Sequence, residues 1–423
     1  MAASLSAGQS NVEAGQELTV EMALALARAN NGVVRAAFLN YQAARSNALI
    51  AGSAYWPTVI PSFQYDTNRL NAYTGPSVGA FDSVTSAAML TANWQIVDSG
   101  ERSANYSRAT ASRDSSEFNA LRTLRTTLFD VHRSFYDALR ADELLQVRNA
   151  QLERAEGILK QTEAFVEAGA SARKDTLQAK ADALNAKATE LAARNRVTTS
   201  RAELKAIVGI PRDQQLPSLQ STDPSEVERF ATGLVDEIEF GLANRADLMS
   251  RRKDVAAARS SVRLARVLTG VTWSLDARHV RAFSPDPFDQ SFLILQASFP
   301  LFDGQRSREA LRASKLGMEA TEELLTQAER NVVAEIESSY KEFDQNIDRL
   351  GASKLALEAA LINYQAVFES RKAGASELIE LLTAQVSLTT AESNYIEAYY
   401  DTLISQVQLR LATGRGMPGE ESQ

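Results

Sequence analysis

The stretch Ala168-Gly169-Ala170-Ser171 recurs 205 residues later as Ala373-Gly374-Ala375-Ser376. The same offset carries Trp94-Gln95-Ile96-Val97-Asp98 onto Phe299-Pro300-Leu301-Phe302-Asp303. A single offset that holds across both pairs of segments is not expected from chance similarity between alanine-rich helices. The sequence therefore predicts two copies of one structural unit, each of about two hundred residues.

The two copies differ in the length of one segment. Upstream of the first matched segment, Ala43-Ala44-Arg45-Ser46 matches Ala257-Ala258-Arg259-Ser260 at an offset of 214. The segment between Ser46 and Trp94 in the first copy therefore differs in length from its counterpart between Ser260 and Phe299 in the second copy. We predict a flexible N-terminus, a first repeat, a linker, a second repeat and a flexible tail, at residues 1–17, 18–209, 210–233, 234–414 and 415–423.

Each copy is predicted to run in the order helix, strand, strand, very long helix, tight turn and helix. Thr19 is a good N-cap for the first helix, which we expect to reach about residue 54. The very long helices are expected at about 100–166 and 305–371. They carry apolar residues at a spacing of seven, which is typical of packed, supercoiled helices: Leu124, Val131, Ala138, Leu145, Leu152, Leu159 and Val166, then Ile336, Phe343, Leu350, Leu357 and Tyr364.

Two strand pairs lie between these helices. The first pair is expected at about 58–73 and 83–97, joined by a turn at 74–79, and the second at about 271–283 and 290–302. The alternation of Ala88, Leu90, Ala92 and Trp94 with more polar neighbours predicts a strand with one apolar face.

The strands are longer than the roughly 9–11 residues that a tilted strand needs to cross a bilayer. Only closed barrels or helices satisfy the backbone polar groups within lipid, and four strands cannot close a pore. Three chains would supply twelve strands, which lies within the range of outer-membrane barrels. Aromatic residues near the strand ends fit interfacial girdles, although such residues also cap the core of soluble sheets. In a barrel, the charged strand residues would face an aqueous lumen or lie beyond the hydrocarbon: Arg69, Asp276, Arg278 and Arg281.

Composition excludes several other classes of protein. The chain of 423 residues has 45 basic and 53 acidic residues and a net charge of −8, which disfavours nucleic-acid binding. It has no cysteine, and its two histidines, His132 and His279, are not at metal-ligand spacing. We find no nucleophile–base set and no phosphate-binding loop, so we expect neither an enzyme nor a cofactor or metal site. Met1–Ser10 has no charged and apolar signal pattern, so no secretory signal is expected.

Two further stretches carry a resemblance to a known family. They are Phe299-Pro300-Leu301-Phe302-Asp303-Gly304, which ends a strand before a long helix, and the segment from Gly374 to Ala384, which reads GASELIELLTA. Together with the duplicated order of helices and strands from about Leu18 to Gly414, these stretches resemble the TolC family of bacterial outer-membrane efflux and secretion channels. Many efflux members carry an acylated N-terminal cysteine, and this chain has none. It is expected to belong to a non-lipidated branch or to lack its natural start.

The resemblance implies a fold that is mainly α with a membrane β-barrel portion. In such a fold a homotrimer forms a twelve-stranded barrel in the outer membrane, on top of a long α-helical barrel that extends through the periplasm. It also implies passive conduction, contact with outer-membrane lipid, and partners in a periplasmic adaptor and an inner-membrane pump. The linker at 210–233 corresponds to the family's equatorial region.

The two turns are the predicted functional sites. Glycine allows the positive φ that ends a helix, and Ser171 or Ser376 is expected to cap the helix that follows. The resemblance implies that an adaptor docks on the small residues of the turns: Gly169, Ala170, Ser171, Gly374, Ala375 and Ser376. These residues also suit any helical hairpin, so a purely structural role remains open.

A gate is predicted just beyond the turns. Asp175 and Glu380 occupy equivalent positions, and by resemblance Glu380 faces the channel axis. The family's best-known member has a second acidic residue three places later, where this chain has Thr383. Arg173, Lys174 and Asp175 are candidates for ion pairs with a neighbouring helix that hold the turns closed. The alternative is that Glu380 is an ordinary solvated residue.

Two functional hypotheses follow from the sequence. The first is an outer-membrane exit duct of a tripartite efflux pump or a type I secretion system. The second is a soluble coiled-coil adaptor or scaffold in which the strand pairs form a small domain.

Overall fold

The computed structural model describes residues 17–74, 77–169, 171–211, 213–221, 233–417 and 420. The described residues divide into two compact units, one within the ranges 1–38, 119–248 and 328–423 and the other within 39–118 and 249–327. The fold is mainly helical with one small sheet, as the sequence predicts. The elements are α1 (Val20–Asn30), α2 (Gly32–Ser53), β1 (Thr58–Thr74), β2 (Ser77–Val97), α3 (Glu101–Glu167), α4 (Arg173–Val208), α5 (Leu234–Asn244), α6 (Ala246–Val267), β3 (Thr272–Ser284), β4 (Phe288–Ser298), α7 (Arg306–Lys372) and α8 (Leu378–Thr413).

The sheet belongs to the second unit and is antiparallel, with the strand order β1-β2-β3-β4. Leu90 of β2 lies opposite His279 of β3, which lies opposite Ser291 of β4. Among the described strands, β1 and β4 each have a single neighbour, so both edges of the sheet are open.

Two strand boundaries differ from the expected ones. β2 begins at Ser77 rather than residue 83, because residues assigned to the turn continue the ladder and Thr74 pairs with Ser77. β4 ends at Ser298 rather than residue 302. Pro300 has no backbone N–H to donate, which disfavours continuation of a strand.

The two faces of the sheet differ in polarity, because paired residues share a face and neighbours along a strand alternate. One face carries the rows Trp94, Leu275, Leu295 and Ala92, Ala277, Leu293, and the other carries Asn93, Asp276, Ile294 and Thr91, Arg278, Phe292. Arg281 falls on the first, more apolar face, where Asp289 of β4 lies 3.9 Å from it. Arg281 therefore does not share the face of Asp276 and Arg278.

The first helix of each repeat is broken, where the sequence predicts a continuous one from Thr19 to residue 54. Thr19 caps α1 as expected, since its Oγ1 accepts a hydrogen bond from the Met22 N–H at 3.1 Å. Asn31 then separates α1 from α2, and Arg245 separates α5 from α6. Asn31 and Arg245 are equivalent residues at the offset of 214.

Both interruptions are stabilised in the same way. The side-chain amide of Asn31 donates to the Ile207 carbonyl at 2.8 Å, and the Arg245 guanidinium donates to the Ala412 carbonyl at 2.8 Å. Ile207 and Ala412 are themselves equivalent at the offset of 205. A polar side chain thus ties each interruption to the end of the last helix of its repeat, and both contacts lie within the first unit.

The apolar residues at a spacing of seven are buried or half-buried along both long helices, as predicted. In the first unit Leu124, Val131 and Ala138 belong to a core, and Leu350 packs against it. The same core includes Leu128, Phe135, Leu204, Tyr400 and Leu403. Ile210, Leu216 and Leu219 of the predicted linker pack against this core, and the Leu18 N–H donates to the Ser218 carbonyl at 2.8 Å. Residues 1–16, 212 and 222–232 of the predicted N-terminus and linker lie outside the described residues.

The predicted tail is packed where it is described. Arg415 donates to the buried Glu237 carboxylate at 2.7 Å, and the Met417 side chain belongs to the core of the first unit. Glu420 accepts a hydrogen bond from Arg125 at 3.1 Å. The expectation of a flexible tail does not fit these residues, because each has a specific partner. Residues 418–419 and 421–423 lie outside the described part.

Candidate functional site

The two turns close their helices with glycine in the left-handed conformation. Gly169 and Gly374 both have φ of 73°, which side chains with a Cβ rarely adopt. At the second turn the Gly374 N–H donates to the Arg371 carbonyl and the Ala375 N–H to the Ser370 carbonyl, the pattern of a Schellman motif. Apart from its chain neighbours, a Cβ at either glycine would meet no atom of the described residues within 4 Å, so both turns are open surfaces. Ala170 lies outside the described residues.

The capping prediction for the two serines is wrong, because each serine precedes the N-cap by one residue. The N-caps are Ala172 and Glu377, and neither makes a side-chain capping bond. The Ser171 hydroxyl instead donates to the Asp175 carboxylate at 2.6 Å, which also accepts from the Ala172 N–H at 3.3 Å. The Ser376 hydroxyl donates to the Val367 carbonyl at 3.4 Å.

Asp175 is held in its charged form. Its pKa lies below the ordinary value, first because the Ser171 hydroxyl donates to the carboxylate and then because of the Ala172 N–H. The positive charges of Lys174 and Arg371 lower the pKa further. Lys174 belongs to the same helix, whereas Arg371 lies near the end of α7 in the other repeat.

Arg371 links the two turns and is not among the residues predicted from the sequence. Its guanidinium lies 5.5 Å from the centre of the Phe165 ring of α3 and donates to the Ser376 carbonyl at 3.0 Å. Its charge also acts on Asp175 at the start of α4. A cation in the last turn of a helix is a general capping signal and does not by itself reveal such a bridge.

A cluster of apolar side chains packs next to the two turns. Ile158 of α3 packs with Leu378, Leu381 and Leu382 of α8, and Tyr364 and Phe368 of α7 pack against this cluster. The start of α8 is therefore fixed against α3 and α7. The same helix leaves Glu380 and Thr383 exposed, and the Thr383 hydroxyl donates to the Ile379 carbonyl at 2.7 Å.

The structure thus brings together some of the predicted gate residues and leaves others apart. Asp175 lies near a positive charge, as predicted for the gate. That charge belongs to Arg371 of the second repeat and not to Arg173. Arg173 is exposed at the start of α4 and makes no ion pair with the described part of the chain. Glu380 lies on the exposed side of α8, where a single chain offers it no partner among the described residues.

Within the described ranges, no group of three or more His, Asp or Glu side chains is placed to hold a metal ion. The pairing of His279 with Ser291, at 3.0 Å, is a contact between two strands.

None of the helices in the described part of the chain is both long and apolar enough to cross a membrane.

Comparison with known proteins agrees with this architecture. The family model described as "Outer membrane efflux protein" matches residues 23–210 and 239–415. The pyoverdine export outer membrane protein OpmQ of Pseudomonas putida is 26% identical over 94% of this chain and 86% of its own length. The outer membrane protein TolC of Vibrio cholerae is 24% identical over 76% of this chain and 73% of its own. The crystal structure of CusC covers 94% of this chain and 92% of its own, with a TM-score of 0.84 at 18% identity.

The matched residues make up most of both repeats, and the chain belongs to the outer membrane efflux protein family. It is an outer-membrane protein that acts as an exit duct for efflux or secretion. The family is one of transport ducts rather than enzymes. Of the two hypotheses from the sequence, the family assignment therefore favours the outer-membrane exit duct over the soluble coiled-coil adaptor or scaffold.

Proposed function

We propose that three copies of this chain assemble into one continuous duct, with a twelve-stranded barrel in the outer membrane and an α-helical barrel in the periplasm. The observation that carries this proposal is the sheet, in which β1 and β4 are long strands with one open edge each. An open edge in lipid leaves backbone groups unpaired at a cost of several kcal/mol each. Pairing β4 of one copy with β1 of the next removes every edge when the ring closes.

The polarity of the sheet supports an aqueous interior. The face that carries Asn93, Asp276 and Arg278 would line the lumen, and the face that carries Trp94, Leu275 and Leu295 would contact lipid. Trp56, Trp94, Trp273 and Phe299 are exposed near the ends of strands, where an aromatic girdle would lie. Each 67-residue helix would extend for roughly 100 Å, a suitable length for a periplasmic conduit.

We expect the purified protein to require detergent for extraction and to migrate as a heat-modifiable trimer on denaturing gels. The physical reason is that closed inter-strand ladders resist detergent until heat separates them. Fractionation followed by electrophoresis of boiled and unboiled samples tests this. Recovery of a folded monomer from the aqueous fraction would contradict the proposal.

The turns are the proposed docking site for a periplasmic adaptor, through which the duct would meet an inner-membrane pump. Gly169, Ser171, Gly374, Ala375 and Ser376 are small, and the two glycines face open space. A helical hairpin of the adaptor would therefore approach the backbone closely at both turns. Ala170, in the same turn, is included by sequence alone. Residues 210–233 are proposed as the equatorial region around the helical barrel.

The gate is proposed to combine a carboxylate ring with ties between the turns. Three copies of Glu380 would face the channel axis one turn inside α8, with Thr383 beside them as a neutral second position. Asp175 and Arg371 would tie the two turns of each chain, and Arg173 would lie at the rim. Support comes from the exposure of Glu380 and from the position of Arg371 between the repeats.

Glu380→Gln is expected to weaken the block of channel current by divalent cations, because it removes the negative charge of the ring and keeps the side-chain size. Current recordings with increasing divalent-ion concentration measure the effect. The matched control is Glu377→Gln, one turn earlier and also exposed. Unchanged block in Glu380→Gln, or equal relief in both variants, would remove Glu380 from the gate.

A further inference from the structure

We infer that the apolar face of the sheet carries a binding site for a phosphorylated glycolipid of the lipid A class, with the Arg281 guanidinium as its phosphate ligand. The inference rests on the proposed barrel and goes beyond it, because general contact with lipid requires no site for a headgroup. The observation behind it is the position of Arg281, which the polarity of the two faces does not explain.

Arg281 is a charged residue on the face that would contact lipid. Residues alternate along β3, so Arg281 shares its face with Trp273 and Leu275. An arginine on the lipid side of a barrel is costly at the middle of the bilayer and nearly without cost at its interfaces. The depth of Arg281 and the groups around it therefore determine what it can bind.

The depth of Arg281 corresponds to the external interface. The hairpins form the end of the sheet away from the helices, and β3 ends there at Ser284. Trp273 and Phe283 lie on one face, ten residues or about 33 Å apart along the strand. At the roughly 40° tilt of barrel strands this is about 25 Å along the membrane normal, the height of the apolar band of a barrel. Arg281 thus lies just inside the external aromatic girdle, where lipid headgroups begin.

A depression of about 590 Å³ adjoins Arg281 on this face. Two adjacent rows of paired residues form it: Phe63, Ala88 and Arg281 in one row, and Pro61, Leu90 and His279 in the other. Ala88 is the small residue in the middle of the first row, which leaves space between Phe63 and Arg281. The depression is therefore apolar on the side of β1 and cationic on the side of β3.

Asp289 is the charged neighbour of Arg281 and leaves its donors available. The Arg281 Nε lies 3.9 Å from the Asp289 carboxylate, which is longer than a hydrogen bond, and both side chains are more than half exposed. Asp289 belongs to β4, whereas the depression lies on the β2 side of β3. An anion in the depression would thus approach Arg281 from the side opposite Asp289. The fork of a guanidinium fits two oxygens of one phosphate.

His279 adds a second polar group to the same edge of the depression. Its Nδ1 lies 3.0 Å from the Ser291 hydroxyl of β4, a contact that orients the ring. An imidazole with one nitrogen engaged can still offer the other nitrogen to a ligand. His279 lies in the row next to Arg281, and both line the depression, so both are placed to contact one headgroup.

The class of lipid follows from the chemistry and the depth of the depression. Phe63 and Leu90, which are 67% and 48% exposed, offer apolar surface to an acyl chain, and Arg281 offers a positive charge to a phosphate. The external leaflet of a Gram-negative outer membrane is built on lipid A, an acylated glucosamine disaccharide that carries phosphate groups. Phospholipids belong to the periplasmic leaflet, at the opposite end of the strands. The depth of Arg281 therefore favours lipid A over an anionic phospholipid.

Native mass spectrometry of the purified trimer in detergent tests the site. Bisphosphorylated lipid A, dephosphorylated lipid A and phosphatidylglycerol are added separately, and we expect the trimer to bind bisphosphorylated lipid A most tightly. Arg281→Gln should weaken this binding roughly tenfold or more, because it removes a charged, two-pronged hydrogen-bond donor. Binding of dephosphorylated lipid A should not change. The matched control is Arg278→Gln, because Arg278 is an exposed arginine of β3 on the other face, and it should leave lipid A binding unchanged.

Ala88→Leu tests the depression without changing its charge. The larger side chain would fill the space between Phe63 and Arg281, so binding of lipid A should weaken several-fold. This variant also tests the site if Arg281→Gln fails to assemble. Migration of boiled and unboiled samples on denaturing gels shows which variants remain trimeric.

The outcomes separate the lipid site from the proposed duct. Unchanged lipid A binding in Arg281→Gln and Ala88→Leu, or binding of dephosphorylated lipid A or phosphatidylglycerol as tight as that of bisphosphorylated lipid A, would overturn the site and leave the trimer intact. Weakened binding in Arg278→Gln instead of Arg281→Gln would overturn the site and reverse the assigned faces of the barrel. Absence of any trimer would overturn the proposed assembly and the site with it.

Discussion

Arg245→Ala is expected to lower the free energy of unfolding by about 2–4 kcal/mol. The guanidinium is only 3% exposed and donates to Asp247 at 2.6 Å, to Glu335 at 2.7 Å and to the Ala412 carbonyl. Removing one partner of a buried ion pair typically costs about 3–5 kcal/mol. We expect somewhat less, because both carboxylates keep about a third of their exposure and Arg122 lies 4.0 Å from Glu335.

Two control variants provide reference values for this loss in the free energy of unfolding. Asn31→Ala, at the equivalent position, removes a helix cap and a carbonyl contact and should cost about 0.5–2 kcal/mol. Arg259→Ala breaks an exposed pair with Glu322 and should cost about 0–1 kcal/mol. Chemical denaturation in detergent, followed by circular dichroism, measures all three. A loss for Arg245→Ala no larger than that for Arg259→Ala would contradict the assignment of Arg245 as the tie between α5, α6 and α8.

The same network predicts a pH dependence. Burial raises the pKa of Asp247, but the hydrogen bonds and charge of Arg245 outweigh burial and hold the pKa below its ordinary value. A carboxyl with a lowered folded-state pKa stabilises the fold above its unfolded-state pKa, and this contribution is lost as pH falls through the lowered value. Stability should therefore fall in acid, and Arg245→Ala should flatten that part of the profile.

Arg371→Gln is expected to raise single-channel conductance several-fold. The substitution removes the charge that acts on Asp175 and the contact with the Phe165 ring, so the two turns of each chain separate more readily. The matched control is Lys372→Gln. Lys372 lies over the Phe368 ring at 4.4 Å and pairs with Glu369, so its loss leaves the bridge between the repeats intact. Equal conductance changes in the two variants would exclude a specific role for Arg371.

The bridge should also respond to acid. The charged groups that act on Asp175 are Lys174 of its own helix and Arg371 of α7. Because the pKa of Asp175 is lowered, its charge is lost only as pH falls below the ordinary range of aspartate. Conductance is expected to rise there, and Asp175→Asn should abolish that rise. A rise of the same size in Asp175→Asn would assign it to another group.

The architecture was largely predictable from the sequence because each helix and strand can be located independently in both repeats. Proline positions and the spacing of seven located the long helices, and alternation located the strands. The interruptions at Asn31 and Arg245 were not predictable in this way. Each depends on a carbonyl more than 150 residues away in the sequence, at Ile207 and Ala412. Periodicity within a helix carries no information about such a partner.

The candidate site was predicted less completely. The glycines indicated the turns, since a positive φ has a recognisable local signature at Gly169 and Gly374. The serines were assigned to caps because Ser is a common N-cap, but the helices begin one residue later and Ser171 binds Asp175 instead. Arg371 was missed because its role arises only when the ends of α3, α4 and α7 come together.

Current through a planar bilayer containing the purified trimer tests the central claim most directly. If three open sheets complete one pore, the folded trimer should give discrete, long-lived conductance steps, and Arg371→Gln should enlarge them. A correctly folded trimer that inserts into the bilayer yet carries no current, with or without Arg371→Gln, would contradict the account.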